Sequence, residues 1–279
     1  MNALEIIKIG SNFLKEKEIP SHILDSEILL SKTLNQSREK VLTNLDQEIC
    51  KKNIEIFKKY INRRSKKEPV AYILEEKEFW SKKFVVNKST LIPRPETELL
   101  VGKLLELYKE KKITILDIGT GSGCIILSLL SNLKKSKGIG VDISKNAIFI
   151  AKNNAFKHKL SNRVKFFHQS LDSVFGRKFD LIVSNPPYIV KKDIKNLSDD
   201  IKKYEPRMAL DGGNDGLDLI KKVIYKSKNI IKINGTLALE IGNEQVKKVS
   251  KLLTDNNFRV KFILKDFENN VRSVFASFN

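Results

Sequence analysis

Residues 115–123 read Ile115-Leu116-Asp117-Ile118-Gly119-Thr120-Gly121-Ser122-Gly123, a short apolar run with one acid followed by a glycine-rich stretch. Ile113 to Ile118 has the length and apolarity of a buried strand, and Cys124 to Leu133 reads as a helix, so the glycines occupy the turn between them. Glycine there permits unusual backbone angles and close approach of a ligand, while the N–H groups of the turn and helix start favour an anionic group. A tight turn in any α/β protein would look similar, so the surrounding pattern has to decide.

That pattern continues downstream as apolar runs separated by helices. Strands are expected at Gly138 to Ile143, Val164 to His168, Phe179 to Ser184, Thr236 to Ile241, Arg259 to Leu264 and Val271 to Phe278. Helices are expected at Lys145 to Lys157, Leu217 to Ile230 and Glu244 to Asn256. Near-continuously apolar strands joined by helices define an α/β fold with a mostly parallel sheet covered on both faces. The last two strands lack a helix between them and are expected to pair antiparallel.

Upstream, apolar residues recur at helical spacing from Ala3 to about Ser65, with breaks at Pro20-Ser21, near Leu34-Asn35 and around Asn44 to Gln47. Ser21 and Ser37 are placed to cap the helices that follow. A small helical bundle over residues 1–68 is expected, then a hairpin linker over 69–90 with arms Tyr72 to Leu74 and Phe79 to Val86, and the sheet domain over 91–279. In that last segment Pro95, Glu96 and Glu98 suit the first turn of a helix.

The 279 residues are 41% hydrophobic, enough for a full core. No apolar stretch reaches the roughly 18 residues of a membrane span, and the start carries Glu5 and Lys8 in an amphipathic helix, so a cytoplasmic protein with no membrane partner is expected. Two cysteines, Cys50 and Cys124, and three histidines support neither a disulfide framework nor a metal cluster. The formal charge of +19 would attract nucleic acid, but its lysines are spread along the chain without aromatic interleaving. A basic face and a general lysine bias account for it equally.

Asp142 lies at the end of the next expected strand, where a carboxylate can accept hydrogen bonds from ribose hydroxyls. To this point NAD and S-adenosylmethionine both fit. Asp117, immediately before the glycines, would repel a pyrophosphate and attract an ammonium group, which favours S-adenosylmethionine. No second glycine loop or proton shuttle for hydride chemistry is present.

After the strand Phe179 to Ser184 comes Asn185-Pro186-Pro187-Tyr188, at the carboxyl end where open sheets bind ligands. An amide nitrogen is a poor nucleophile, so placement matters more than a general base. The Asn185 side-chain oxygen and the Pro186 carbonyl can hold both N–H protons and aim the lone pair, and Tyr188 can stack over the flat amide. A rigid turn with an exposed tyrosine is the plain alternative for this segment taken alone.

Together Leu91 to Glu98, Leu116 to Ile125, Ser184 to Ile189, Tyr204-Glu205-Pro206-Arg207-Met208-Ala209-Leu210, Leu239 to Gly242 and Gln245 resemble the bacterial release-factor glutamine N5-methyltransferases, within the class I methyltransferases. The resemblance implies a seven-stranded methyltransferase sheet with an N-terminal helical bundle that recognises the substrate. It implies S-adenosylmethionine as donor, S-adenosylhomocysteine as product, and the glutamine of a Gly-Gly-Gln motif in peptide chain release factors as acceptor. Asn185, Pro186 and Tyr188 would act on the acceptor, with Pro187, Arg94, Glu96 and Thr97 lining the mouth of the site. Asp117, Gly119, Thr120, Gly121, Gly123, Asp142, Ser170 and Asn185 would meet the donor. The family's Ser-Asp at the adenine edge is here Ser170-Leu171-Asp172, so either Asp172 acts from a shifted position or backbone near Ser170 suffices. Tyr204 to Arg207 either braces its own loop or covers the acceptor site.

Two rivals differ in class. Asn-Pro-Pro-Tyr is shared with adenine-N6 DNA methyltransferases and some RNA guanine methyltransferases, which makes an N6-adenine DNA or RNA methyltransferase the alternative, but the mixed charges of the helical segment argue against a nucleic-acid partner. A catalytically silent scaffold would need neither Asn185 nor an intact glycine loop. A monomer without metal is expected.

Overall fold

The computed structural model describes residues 1–176 and 178–279. The chain opens with helices α1 (Ala3–Glu16), α2 (His22–Leu34), α3 (Arg38–Leu42), α4 (Lys51–Ser65) and α5 (Val70–Leu74), then the short strands β1 (Glu76–Phe79) and β2 (Lys82–Val85). There follow α6 (Pro95–Leu107), β3 (Thr114–Ile118), α7 (Cys124–Asn132), β4 (Lys137–Asp142), α8 (Lys145–Lys157), β5 (Val164–His168) and β6 (Phe179–Ser184). The remainder is α9 (Asp199–Tyr204), α10 (Asp218–Ile230), β7 (Ile231–Glu240), α11 (Val246–Thr254), β8 (Phe258–Lys265) and β9 (Val271–Phe278). Met1–Glu76 with Ser198–Tyr204 forms one compact unit, and Lys77–Leu197 with Glu205–Asn279 forms a second. Among the described residues no helix is long and apolar enough to cross a membrane.

In the helical unit α1 starts on a reciprocal cap: Asn2 accepts from the Glu5 N–H and the Glu5 carboxylate accepts from the Asn2 N–H. Ser37 caps α3 as expected, accepting from the Lys40 N–H at 3.3 Å. Ser21 does not cap α2; its hydroxyl donates to Asp25 Oδ2 at 2.7 Å. That carboxylate also receives Nε of Arg64 at 2.6 Å, with both side chains almost out of water. The pair ties α2 to α4 beneath a core that includes Ile6, Leu14, Leu29, Leu30 and Phe57.

The hairpin differs from expectation. Tyr72 to Leu74 is helical, in a turn opened by the N-cap Pro69, whose carbonyl accepts from the Tyr72 and Ile73 N–H groups, and the first arm is Glu76–Phe79. The turn falls at Trp80-Ser81, both in the left-handed region that two-residue hairpin turns require.

The main sheet has seven strands in the order β5-β4-β3-β6-β7-β9-β8. β3 to β7 are parallel, while β9 inserts antiparallel between β7 and β8. Both faces are buried, which explains the uninterrupted apolar runs. Ile115, Leu181 and Val183 pack under α6, α7 and α8 with Leu104, Ile126 and Ala151. Their neighbours Leu116 and Ile182 pack under α10 and α11 with Ile220, Val223 and Val249. β7 begins earlier than Thr236: Ile231 pairs with Phe179, and an irregularity through Asn234, which adopts a positive φ of 61°, restores register at Thr236.

Breaking the Asp25–Arg64 pair by Asp25→Ala leaves a buried guanidinium uncompensated. The expected loss is about 3–5 kcal/mol for the helical unit in urea denaturation; a loss below about 1 kcal/mol would show that the pair is solvated in practice.

Candidate active site at the carboxyl ends of the parallel strands

Ile118 pairs with Val141 on one side and Ser184 on the other, so β3, β4 and β6 end at one level. The residues that follow, the Gly119–Gly123 loop, Asp142 and Asn185, therefore converge. Between them lies a cavity of about 260 Å³. One wall is the loop Gly119 to Ser122 with Cys124, and Asp142 to Ser144 with Gln169 to Asp172 forms another. Asn185, Pro186 and Pro187 close it opposite, beside Leu91, Arg94 and Thr97.

Gly119 has a φ of +70°, and a Cβ built there would meet nothing within 4 Å, so the backbone is bare toward the cavity. Beneath it Asp117 is 1% exposed. Its Oδ2 accepts from the Thr120 hydroxyl at 2.7 Å, and its Oδ1 is buried without a hydrogen-bond partner. Burial pushes this carboxyl up to about 7, against the Thr120 hydroxyl and the more distant Ile126 N–H, which pull it down. Asp142 accepts from the Gly121 N–H at 2.9 Å through Oδ2 and from the Ser144 N–H at 2.8 Å through Oδ1. These bonds fix its carboxylate while each oxygen keeps a further lone pair. Burial raises its pKa despite them.

On the other side Asn185 is half-buried, and its Nδ2 donates to the Thr97 hydroxyl at 3.4 Å. Thr97 is buried behind Asn185 rather than standing at the mouth, although it still reaches the cavity wall. The cavity walls do not include Tyr188, Glu96, Gly123 or the Asp117 carboxyl. Tyr188 packs against the core under α10 and α11, and its hydroxyl donates to Glu240 Oε1 at 3.4 Å, so stacking over an amide is not its placement here. Ser170 does line the cavity, but its hydroxyl caps a single helical turn by accepting from the Asp172 N–H; Leu171 and Asp172 stand beside it.

The Tyr204 to Arg207 segment is not braced by an ion pair within itself: Arg207 pairs with Asp211 and Glu205 with Arg94. Glu205 is buried, pairs with Arg94 and accepts from the Ile92 N–H at 3.0 Å, which binds two motifs far apart in sequence. Pro206, Met208 and Ala209 then contribute cavity wall. Glu240 falls in the Leu239 to Gly242 motif, but no role for it was legible at the end of an apolar strand; its partners Thr97 and Tyr188 supply one.

The parallel sheet flanked by helices, with a glycine loop, Asp142 and Asn-Pro-Pro-Tyr at its carboxyl edge, defines a class I methyltransferase fold. A methyltransferase structure from Pyrococcus furiosus superposes with a TM-score of 0.52 at 18% identity, covering 70% of this chain and 87% of that one. Residues 5–74 match the PrmC N-terminal domain and residues 95–214 the methyltransferase small domain. A release factor glutamine methyltransferase from Clostridium acetobutylicum is 41% identical over 94% of this chain and 94% of its own length. A bifunctional methyltransferase from Rickettsia conorii is 35% identical over 98% of this chain, which spans 57% of that protein's length. The chain belongs to the release factor glutamine methyltransferase family.

With its pKa raised from 3.8 to about 7, Asp117 keeps its proton in the folded chain while the unfolded chain loses it. Its contribution to stability is full below about pH 4 and is lost as pH rises to about 7, by at most a few kcal/mol. Asp117→Asn is therefore expected to gain stability relative to the parent between pH 5 and pH 8 in chemical denaturation, both without ligand. Parallel stability curves over that range would contradict the assignment.

Proposed function

We propose that this chain transfers a methyl group from S-adenosylmethionine to N5 of the glutamine in the Gly-Gly-Gln motif of peptide chain release factors, with S-adenosylhomocysteine as product. The observation that carries this reading is that the Gly119–Ser122 loop and Asn185-Pro186-Pro187 wall a single cavity. Methyl transfer needs donor and acceptor in one such space. The name of the Clostridium relative supplies the acceptor class.

The residues fit the donor. Asp117 Oδ1 is an unpaired acceptor that lies behind the Gly119–Ser122 wall rather than on it, where an approaching ammonium group would favour its ionised form, and the free lone pairs of Asp142 suit ribose hydroxyls. The bare Gly119 backbone admits a close ligand. When bound, the donor supplies a sulfonium methyl group that needs no acid to activate it. Transfer would break the S–CH3 bond with its electron pair passing to sulfur, while the nitrogen lone pair forms the N–CH3 bond and one N–H proton leaves to water.

The protein's part is placement. Asn185 Oδ1 and the Pro186 carbonyl accept the two N–H bonds of the glutamine amide and fix the direction of its lone pair. As positive charge grows on nitrogen both acceptors hold it more strongly, so they favour the transition state over the bound substrate. Pro186 and Pro187 restrict the backbone that carries these groups. The helical unit, matched to the PrmC N-terminal domain, is assigned to recognition of the release factor.

Asn185→Ala is expected to lower turnover by about 10² or more with donor affinity within a few-fold of the parent. Asp142→Ala should instead weaken donor binding by about 1.5–3 kcal/mol in calorimetry. Mass mapping of a treated release factor should place one methyl group on the Gln of Gly-Gly-Gln, and none when that Gln is replaced by Glu. Methylation of the Glu substrate, or of adenine in added nucleic acid, would overturn the acceptor assignment.

A further inference from the structure

Glu240 closes β7 and is 2% exposed, a carboxyl group inside the sheet domain. Its Oε2 accepts from the Thr97 hydroxyl at 2.6 Å and its Oε1 from the Tyr188 hydroxyl at 3.4 Å. Burial raises the pKa of this carboxyl, and its two hydrogen-bonding contacts are hydroxyl groups, which a neutral amide could also satisfy, so an acid here calls for a reason beyond packing.

The chemistry of the hydroxyl gives the acid a purpose. Thr97 has one O–H proton, and the short bond to Glu240 commits it. Toward Asn185 the same oxygen is left only as an acceptor, so Asn185 must present its NH2 group to Thr97. A planar amide that turns its nitrogen one way turns its oxygen the other, which leaves Asn185 Oδ1 for the cavity. Without Glu240 the Thr97 hydroxyl is free to donate to Oδ1. The amide then flips and offers N–H groups to the incoming N–H groups of a glutamine, which cannot bond to them.

We propose that Glu240 is a positioning residue that acts through Thr97 to fix which end of the Asn185 amide faces the acceptor. Tyr188, held on the other carboxylate oxygen, keeps Glu240 turned toward Thr97. The inference rests on the reading that the acceptor is an amide N–H donor, but the hydrogen-bond polarity it assigns exists in the free protein as well.

The test uses the full chain with asparagine side-chain amides isotope-labelled for NMR, the Asn185 pair being identified by its loss in Asn185→Ala. Thr97→Val and Glu240→Leu should each shift that pair and speed its exchange with solvent, whereas Thr97→Ser should restore the parent position. Donor affinity measured by calorimetry reports that each variant is folded. In methyl transfer to a release factor, Thr97→Val and Glu240→Leu should lower kcat about tenfold or more with donor KM unchanged, and Thr97→Ser should recover most of the loss. In an Asn185→Ala background Thr97→Val should cost nothing further, a non-additivity that a packing role would not produce. An Asn185 resonance unmoved in folded Thr97→Val, or full additivity with Asn185→Ala, would overturn the proposal. Variants that show the expected resonance shifts, together with a parent protein that methylates no release factor, would instead overturn the substrate assignment and leave this one standing.

Discussion

The side-by-side parallel pairing of β3 with β4 and β6 is the constraint on which the rest of the molecule depends. Because Ile118 is level with both Val141 and Ser184, three chain segments leave the sheet at one height, and three unlike groups meet there. A slip of one residue in either pair would turn every side chain of a strand to the opposite face, where it would have to fit a different layer of helices, and close packing on both faces opposes that. The register is thus held by the helices packed on it, far from any chemistry, while the loops at its carboxyl edge are left to carry function.

Electrostatics in the two units follow opposite designs. In the helical unit Asp25 is buried with its cation, Arg64, and the pair serves the fold. In the sheet domain Asp117 and Glu240 are each buried and pushed up to about 7 by desolvation, with hydroxyl groups rather than cations as their nearest partners. Acids held this way weaken the fold as they ionise. Each borders the cavity through a hydroxyl group: Asp117 through Thr120 and Glu240 through Thr97. The unfilled oxygen of Asp117 suits a cation brought by a ligand, and the filled oxygens of Glu240 suit a fixed local polarity.

The alternation of apolar runs and helices was legible because strands buried on both faces need apolar residues at every position, and Val164 to His168 and Phe179 to Ser184 emerge with the expected bounds. The loop, Asp142 and Asn185 were legible because each follows such a run, so the topology alone brings them together. The hairpin was misplaced because Trp80 and Ser81 carry none of the glycine or asparagine signals of a two-residue turn, and helical Tyr72 to Leu74 is too short to show a period. The start of β7 was missed because Asn234-Gly235 reads as an end to a strand, whereas here it is an irregularity within one. Glu240 and Glu205 stood in motifs that the sequence singled out, but their partners and the true placement of Thr97 and Tyr188 depend on contacts spanning 52 to 143 positions, for which one sequence carries no local signal.

The central claim, that donor and acceptor amide share the cavity formed at these three strand ends, is tested most directly by a crystal structure of the chain with S-adenosylhomocysteine and a peptide containing Gly-Gly-Gln. The account predicts the ammonium group of the product beside Asp117, its ribose hydroxyls on Asp142, and the glutamine amide held between Asn185 Oδ1 and the Pro186 carbonyl. Either ligand bound away from this cavity, or a glutamine amide that meets Asn185 through its carbonyl oxygen, would contradict it.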